Sequence, residues 1–356
     1  MSLEAVKLTK TYEKVQVCLD LQVAAGETLA LVGPSGCGKT TALHLIAGLI
    51  QAEAGILRSN GEDISKLPPH KRHIAVVFQD LALFPHLNVG KNIAYGLATQ
   101  GIARRERQQR VTELLQLLRL PGYATRPIQA LSGGERQRIA IARALAASQR
   151  ALLLDEPFSS LDAPLRRDIR GEFLDLRRTS QAPCIFVTHD REEAALLGDR
   201  IALMAAGRVI ETGSSAEVFL APRTETAARF FGAGEVLPCT IRGERSTGFL
   251  VSSALGDCQV PFGSAYDPLG PLLFIPRDAF LLAGDQDRPP VDTYQVLRGV
   301  FRKSIFEGDR LTLEVEGPEQ TLIRLAVGLR TAIPAPESPV RLYLDQGLLR
   351  FVKPGP

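Results

Sequence analysis

The sequence has few cysteines, no pattern that would pair them, and no long apolar run. Five cysteines form no C-x-x-C pair and leave an odd count: Cys18, Cys37, Cys184, Cys239 and Cys258. That usage favours a reduced compartment over a disulfide framework. No apolar stretch approaches the ~20 residues that a membrane-spanning helix needs. The first residues, MSLEAVKLTK, lack the apolar segment of a signal peptide. We therefore expect a cytosolic chain whose membrane role, if any, comes through a partner.

The sequence also lacks an excess of either charge. Lys and Arg number 42 and Asp and Glu 39, so the net charge is +3 and gives no argument for nucleic-acid binding. Coiled-coil heptads and low-complexity tracts are absent as well. Hydrophobic residues make up 45% of the chain and charged residues 23%, enough to bury a sizeable core. At 356 residues the chain is too long for one core, which predicts two or three domains.

The first 230 or so residues alternate between strand and helix patterns. Short apolar runs predict strands at residues 28–32, 74–78, 151–154 and 184–187. Helical patterns cover residues 39–48, where Gly48 is a plausible C-cap, and residues 165–178. From about residue 88 to 150 the pattern is mostly helical and highly charged. This alternation predicts a parallel α/β core with a helical insertion.

The pattern changes after about residue 235. Helical periodicity fades, Pro and Gly rise, and short strands are predicted at residues 271–275, 310–315 and 340–344. The segment is typical of a small β-barrel domain, with two related halves near 236–286 and 292–356. Histidine is absent from this segment, which argues against a histidine metal site there. No cluster in it is specific enough to name a ligand site.

The strongest motif is GPSGCGKT at residues 33–40, which matches G-x-x-x-x-G-K-[ST] between a strand and a helix. Its glycines let backbone N–H groups curve around an anion, and the helix N-terminus adds a positive dipole. Lys39 would reach the terminal phosphates, and the Thr40 hydroxyl would face Mg²⁺. The alternative, an ordinary glycine-rich turn, does not explain this context. We expect Cys37 to be a tolerated small residue rather than a redox switch.

Two carboxylates end the apolar run LLLDE at residues 152–156. In a chain with a phosphate-binding loop, Asp155 can bind magnesium and Glu156 can orient and deprotonate an attacking water. Alone, the pair could equally be a solvated acidic turn after a strand. Its occurrence with residues 33–40 favours the catalytic interpretation.

A third motif, LSGGERQR, occupies residues 131–138. Ser132 and Glu135 fit a capping box, so the simplest interpretation is a well-capped helix. Gly133 and Gly134, however, are poor helix formers that expose backbone N–H groups in the first turn. Such a helix start is a second phosphate site, and one chain cannot easily place two against the same nucleotide. The motif therefore points to a dimer in which each subunit completes the site of the other.

Together the three motifs resemble the ATP-binding subunit of an ATP-binding cassette (ABC) transporter over about residues 1–232. Residues 33–41 resemble its Walker A motif, 131–138 its signature, and 152–156 its Walker B motif. The resemblance implies a P-loop NTPase (RecA-like) α/β core over residues 1–234, with a helical subdomain at about 85–150. An all-β, OB-like regulatory domain in two halves would follow at 235–356.

The resemblance also implies roles for individual residues, with ATP and Mg²⁺ as cofactors. Tyr12 is expected to stack on adenine with Val17 beneath the base, and Ser160, Leu161 and Asp162 resemble the D-loop at the dimer interface. The expected nucleotide contacts are Tyr12, Val17, Gly33, Pro34, Ser35, Gly36, Cys37, Gly38, Lys39, Thr40, Thr41, Ser132, Gly133, Gly134, Glu135 and Asp162. The expected catalytic residues are Glu156, the switch histidine His189, the Q-loop glutamine Gln79, and Lys39. The expected metal ligands are Thr40, Gln79 and Asp155.

The C-terminal segment resembles the regulatory domain of importer ATPases for sugars, polyamines, iron, sulfate or molybdate. The implied partners are a second copy, two transmembrane permease subunits and, indirectly, an extracytoplasmic binding protein, with no nucleic acid. Permease coupling helices would dock near Gln79 and the helical segment 85–130, which places the chain peripherally on the cytoplasmic face of the inner membrane. FSSLDAP at 158–164 and the linker FFGAGEVLP favour an inorganic-ion importer, for ferric iron or an oxyanion; a sugar or polyamine importer is the alternative.

Two stretches depart from the family pattern, LLGDRIALMAAGRV at 196–209 and IPRDAFLLAGD at 275–285, and they affect the substrate assignment rather than the ATPase chemistry. A soluble ABC-type ATPase acting on DNA or ribosomes is a rival, disfavoured by the single cassette, the missing heptads and the near-neutral charge. A P-loop kinase of small molecules is another, but it leaves residues 131–138 unexplained.

Overall fold

The computed structural model describes residues 1–12, 15–146, 149–159, 163–178, 180–232, 234–263, 271–283, 294–306, 308 and 310–355. The chain divides into two compact units, residues 1–215 and 216–356. In the described residues, no helix is both long enough and apolar enough to cross a membrane.

The described strands of the first unit form one ten-stranded sheet. They are β1 (Leu3–Thr11), β2 (Gln16–Val23), β3 (Thr28–Val32), β4 (Ala54–Ser59), β5 (Glu62–Asp63), β6 (Ile74–Val77), β7 (Ala151–Asp155), β8 (Cys184–Val187), β9 (Arg200–Ala205) and β10 (Arg208–Gly213). Their order is β5-β4-β1-β2-β10-β9-β3-β8-β7-β6. The run from β9 to β6 is parallel, whereas β1 pairs antiparallel with β2 and β4.

The central parallel strands β3, β7 and β8 are buried along their whole length. Continuous apolar runs of this kind are typical of parallel strands covered on both faces. The helices of the unit are α1 (Lys39–Ala47), α2 (Pro69–Arg72), α3 (Val89–Thr99), α4 (Arg104–Leu117), α5 (Gly133–Ala146), α6 (Ala163–Arg178) and α7 (Arg191–Leu197). Short 3-10 turns lie at Tyr123–Thr125 and Ile128–Ala130.

Helix boundaries in this unit follow local capping chemistry. Gly48 ends α1 at a φ of 78°, as predicted, with its N–H on the carbonyls of the last turn. Asn88 begins α3 by accepting from the Lys91 N–H, and Asp190 begins α7 in the same way. The predicted α/β core and the helical insertion between residues 88 and 150 are confirmed.

The second unit is an antiparallel β structure, as predicted, preceded by two helices. α8 (Ser215–Leu220) begins at the unit boundary, and α9 (Glu225–Phe231) packs Ala228 against Val236, Phe274 and Val352. Both helices were assigned to the first domain in the sequence prediction, which placed the domain boundary at residues 234 and 235.

The described strands of this unit form two five-stranded sheets, in the orders β13-β12-β11-β14-β20 and β15-β19-β16-β17-β18. The strands are β11 (Gly234–Arg245), β12 (Gly248–Ser253), β13 (Gly256–Pro261), β14 (Leu272–Pro276), β15 (Phe280–Leu282), β16 (Tyr294–Phe306), β17 (Leu311–Glu316), β18 (Leu322–Val327), β19 (Pro339–Asp345) and β20 (Arg350–Val352). Short 3-10 turns lie at Arg277–Ala279, Pro318–Gln320 and Gln346–Leu348.

The two sheets exchange strands. β15 comes from the first predicted half of the domain and pairs with β19 of the second sheet. β20 comes from the second half and pairs with β14 of the first sheet. One apolar cluster includes residues from both sheets, among them Val251, Ile275, Phe301 and Leu342. The two halves along the chain therefore do not correspond one to one with the two sheets.

Candidate functional site

The predicted site residues lie in loops at one edge of the first unit's sheet. β3, β8, β7 and β6 are parallel neighbours, so their carboxyl ends meet at the same edge. Residues 33–38 follow β3, His189 follows β8, Glu156 follows β7 and Gln79 follows β6. The carboxyl edge of an open parallel sheet is where α/β proteins bind ligands. The sheet topology thus brings together residues that are far apart in the chain.

The loop after β3 depends on glycine where the backbone is most crowded. A Cβ on Gly33, whose φ is +154°, would lie 2.1 Å from the Met204 carbonyl oxygen of β9. A Cβ on Gly38, whose φ is +104°, would lie 2.8 Å from Val17 Cγ2. Pro34, Ser35 and Gly36 form the exposed tip of the loop. β9 and Val17 therefore pack against the base of the loop, while its tip faces solvent.

Lys39 and Thr40 begin α1 directly after this loop. Lys39 is only 8% exposed, and its ammonium donates to the carbonyls of Gly33 (2.8 Å) and Pro34 (2.9 Å). The Thr40 hydroxyl is 3.5 Å from Asp155 Oδ1 at the end of β7. Thr41, the next residue of α1, is half-buried. The predicted phosphate-binding loop and the predicted magnesium ligand of β7 are thus adjacent.

Asp155 is buried, and burial raises the pKa of its carboxyl above the ordinary value, in opposition to the hydrogen bond from Thr40. A nearby cation would favour the charged form. Carboxylate and hydroxyl oxygens are ligands that Mg²⁺ accepts. Asp155 and Thr40 therefore fit a magnesium site. Gln79 is exposed two residues beyond the end of the neighbouring strand β6.

The structure brings Glu156 and His189 into contact, which the sequence did not predict. The Nδ1 atom of His189 lies 3.3 Å from Glu156 Oε1. Glu156 has a φ of 45°, in the left-handed region that non-glycine residues rarely adopt. Such a conformation costs of order 1–3 kcal/mol and concentrates at functional sites. The His189 side chain is 65% exposed, so it presents an ionisable ring at the rim of the site.

Cys37 belongs to the loop at residues 33–38. Its side chain is buried, and burial raises the pKa of its thiol. A buried thiol with a raised pKa is less reactive than an exposed one. This environment fits the prediction of a tolerated small residue.

The signature segment forms the predicted capping box. The Glu135 N–H donates to Ser132 Oγ (3.3 Å), and the Ser132 N–H donates to Glu135 Oε2 (2.8 Å). The Tyr123 hydroxyl donates to the other carboxylate oxygen at 2.8 Å. These hydrogen bonds lower the pKa of Glu135. Ser132 and Gly133 are exposed at the start of α5, whereas Gly134 is buried.

The remaining predicted nucleotide contacts differ in their surroundings. Tyr12 follows β1 and is 44% exposed, which suits a stacking side chain. Val17 is 2% exposed and packs beneath Gly38, so it supports the loop from the core. Asp162, with Ser160 and Leu161, lies outside the described residues. The roles assigned to these residues stay predictions.

Two arginine side chains that hold the loops of the site in place were not predicted from the sequence. Arg143 of α5 donates to the carbonyls of Leu81 (2.9 Å) and Ala82 (2.7 Å), two non-glycine residues with positive φ that follow Gln79. Arg170 of α6 contacts Asp190 and Glu193 beyond His189. An Asp before a helix is an N-cap signal that could have identified Asp190. No local signal pairs either arginine with its partners.

Comparison with known proteins agrees with this geometry. The profile of the ABC transporter family matches residues 18–159. The chain is 38% identical to the Fe(3+) ions import ATP-binding protein of Streptomyces avermitilis, over 97% of this chain and 96% of that protein. It is 36% identical to the Fe(3+) ions import ATP-binding protein of Rhizobium etli, over 92% and 90% of the two chains. It is 39% identical to the spermidine/putrescine import ATP-binding protein of Pseudomonas fluorescens, over 82% and 79%.

The two iron proteins align over 92% and 97% of this chain, which includes the β-rich second unit. Their similarity and the three motifs around one sheet edge lead to the same conclusion. The chain belongs to the ABC transporter family, as one of its ATP-binding subunits, and is an ATPase coupled to transport.

Proposed function

We propose that the site binds ATP with Mg²⁺ between two copies of the chain and hydrolyses it to drive import of an inorganic ion, with Fe(3+) as the first candidate. The observation that carries the ATPase chemistry is the contact between Glu156 and His189, next to Asp155 and the phosphate-binding loop. A carboxylate and an imidazole in hydrogen-bond reach are suited to moving a proton from water.

Glu156 acts on the attacking water. Its carboxylate orients the water and accepts its proton, while backbone N–H groups of residues 33–38 and the Lys39 ammonium bind the phosphates. With Nδ1 of His189 directed at Glu156, Nε2 is the ring atom that can meet the γ-phosphate. Catalysis then rests on positioning and charge neutralisation, as phosphoryl transfer requires.

Thr40 and Asp155 would hold Mg²⁺, with the Gln79 side chain as a further ligand from the neighbouring loop. Bound there, the ion supplies charge neutralisation at the phosphate oxygens. The buried Asp155 carboxylate and the Thr40 hydroxyl beside it support this assignment.

A second copy of the chain completes each site. Ser132 and Gly133 are exposed at the start of the 14-residue helix α5, which offers backbone N–H groups and a positive dipole to an anion. The Glu135 carboxylate is already bonded to Ser132 and Tyr123, so it shapes this helix start. We infer that residues 132–135 of one copy face the nucleotide bound to residues 33–41 of the other.

The import complex would also contain two transmembrane permease subunits and an extracytoplasmic binding protein, with this chain on the cytoplasmic face of the membrane. The three relatives named above are import ATP-binding proteins and cover 82% to 97% of this chain, which supports this arrangement. Two of them are named for Fe(3+) ions and one for spermidine and putrescine. The iron proteins match the larger share of the chain.

Transport assays test the proposal. Cells that produce the chain with its permeases and binding protein should accumulate radioactive Fe(3+), and Glu156→Gln should abolish this uptake while leaving the complex assembled. The purified chain should release phosphate from ATP only when Mg²⁺ is present. Accumulation of labelled spermidine but not of iron would replace the substrate assignment and keep the ATPase. ATP-independent uptake would contradict the proposal as a whole.

A further inference from the structure

A ring of polar side chains encloses the backbone on both sides of His189. Arg170 of α6 is 8% exposed, and its Nη2 donates to Asp190 Oδ2 (2.8 Å) and to Glu193 Oε1 (2.7 Å). The Thr188 hydroxyl donates to the other oxygen of Glu193 at 2.6 Å. The Asp190 N–H donates to Thr188 Oγ1 at 3.0 Å and closes the ring.

The ring fixes both neighbours of His189 in the chain. Thr188 and Glu193 are buried, and Asp190 Oδ1 also accepts from the N–H groups of Glu192 and Glu193 at the start of α7. The His189 side chain itself is exposed, and its one hydrogen-bond contact among the residues that the structure describes is with Glu156. Its position at the site is therefore set by the ring behind it rather than by packing around the imidazole.

The same helix also holds the loop that carries Glu156. Arg166 lies one turn before Arg170, donates from Nε to the Phe158 carbonyl at 3.2 Å, and places Nη1 3.8 Å from Asp190 Oδ2. Phe158 follows Glu156 by two residues. One face of α6 thus holds both loops whose side chains meet in the Glu156–His189 contact.

Arg170 and Glu193 form a buried ion pair, and a buried ion pair is a costly way to stabilise a fold. The desolvation of its charges often exceeds the attraction between them, and apolar side chains of similar volume can replace such networks without loss of stability. What a network of this kind does provide is a fixed geometry, because each hydrogen bond has a preferred direction and length. The fixed element here is the peptide on either side of a proposed reacting group.

We propose that Arg170 is a positioning residue for His189. It acts through the chain, by holding residues 188–190 so that the imidazole meets Glu156 and the γ-phosphate. The proposal rests on the proposed function, in which His189 takes part in ATP hydrolysis. A misplacement of about 1 Å in such a group can lower the rate by up to ~10²-fold.

The chain offers a matched control on the same helix. Arg177, seven residues after Arg170, is 5% exposed and also holds backbone and side-chain oxygens: Thr28 Oγ1 at 3.2 Å and the Ala182 carbonyl at 2.9 Å. Thr28 begins β3 and Ala182 precedes β8, so these partners lie at the amino edge of the sheet. Arg177 therefore matches Arg170 in burial and in donating several hydrogen bonds, although its partners are a hydroxyl and carbonyls instead of carboxylates, and it lies at the edge away from the site.

The test compares Arg170→Lys with Arg177→Lys in the full chain. Lysine keeps the charge, but its ammonium cannot reproduce the reach and planar geometry of the guanidinium. We expect Arg170→Lys to lower kcat about 10-fold with the KM for ATP changed less than two-fold, and Arg177→Lys to lower thermal stability with kcat unchanged. In single-turnover assays on a His189→Ala background, Arg170→Lys should cause no further loss. Equal losses in both backgrounds, or equal kcat losses in the two lysine variants, would overturn the proposal.

Thr188→Val provides a second variant if Arg170→Lys does not fold. It removes two bonds of the ring without changing charge or volume by much, and the expected result is again a loss of kcat that disappears on the His189→Ala background. An unchanged kcat in folded Thr188→Val would contradict the proposal.

A nuclear magnetic resonance readout separates this proposal from the proposed function. The chain has five histidines, so ring-labelled histidine gives few signals, and His189→Ala identifies the one from His189. We expect that signal to shift or broaden in Arg170→Lys and to stay in place in Arg177→Lys, without any turnover of ATP. An unmoved His189 signal in Arg170→Lys would refute the positioning role even if the chain is an active ATPase. Failure of the wild type to hydrolyse ATP would instead contradict the proposed function alone.

Discussion

The loops after β3 and β8 lie side by side at the same sheet edge and are built in different ways. Residues 33–38 take their shape from glycine backbone, with Gly33 against the Met204 carbonyl and Gly38 against Val17. Residues 188–193 take theirs from a ring of side chains completed by Arg170 of another helix.

This difference separates two requirements of the site. A phosphate-binding loop presents backbone N–H groups. Its glycines must therefore pack closely against the neighbouring strands, but the loop needs few hydrogen bonds from side chains. A catalytic side chain needs an exact direction, which side-chain hydrogen bonds from neighbouring elements provide. We therefore expect changes in the first loop to affect nucleotide binding and changes beside the second to affect turnover.

The largest effect is expected at Glu156, which contacts His189 of the loop after β8. Glu156→Gln removes the proton acceptor while keeping the side-chain volume, so kcat should fall ~10²–10⁴-fold, the usual contribution of a general base. ATP affinity should stay close to that of the wild type, because the loop at residues 33–38 is unchanged. Phosphate release and equilibrium binding of ATP measure the two quantities. Near-normal hydrolysis by this variant would remove Glu156 from the catalytic role.

A smaller effect, on binding, is expected from Gly33→Ala. The added Cβ would lie 2.1 Å from the Met204 carbonyl oxygen, so the loop has to shift, at a cost of about 1–3 kcal/mol. If this free energy destabilises the loop conformation that binds ATP, the affinity for ATP should drop ~10–100-fold. Fluorescence titration with a labelled ATP analogue measures it.

Gly61→Ala is the matched control for this prediction. Gly61 also has a positive φ, +80°, but a Cβ there meets no atom within 4 Å and the residue lies in the turn between β4 and β5. Only the backbone strain of about 1 kcal/mol should appear, as a lower unfolding temperature with unchanged ATP affinity. Equal loss of affinity in both variants would show that the close approach to Met204 does not matter.

The smallest effect is expected at the signature segment, whose capping box joins two residues only three positions apart. Glu135→Gln keeps an acceptor in the capping box but removes the charge that strengthens its hydrogen bonds, so it should cost up to about 1 kcal/mol of stability at pH 7. Since hydrogen bonds hold the pKa of Glu135 below its ordinary value of 4.5, its contribution is complete above that pH and is lost as the pH falls through the lower folded-state pKa. The difference in unfolding temperature between wild type and variant should therefore shrink in acid.

Glu113→Gln on α4 is the corresponding control, since Glu113 forms an exposed pair with Arg110 that contributes little. A difference for Glu135→Gln that stays constant from pH 7 to pH 3 would contradict the capping role.

Most of the candidate site could be predicted from the sequence, because its motifs consist of residues that are close together in the chain. Residues 33–40, the Asp155–Glu156 pair and the capping box of residues 132–135 each carry their chemistry within a few positions. The Glu156–His189 contact joins residues 33 positions apart, and Arg170 lies 20 positions from Asp190. Such pairs depend on strand order, which periodicity does not determine. The hairpin of β9 and β10, at residues 200–213, was not predicted either.

The strand exchange in the second unit has a consequence for synthesis on the ribosome. β14 (Leu272–Pro276) precedes β20 by more than 70 residues in the chain, so it gains its outer neighbour only when residues 350–352 emerge. Until then its free edge could pair with another nascent chain, a hazard of unfinished sheets. The unit should therefore acquire protease resistance in one late step, rather than sheet by sheet as translation proceeds.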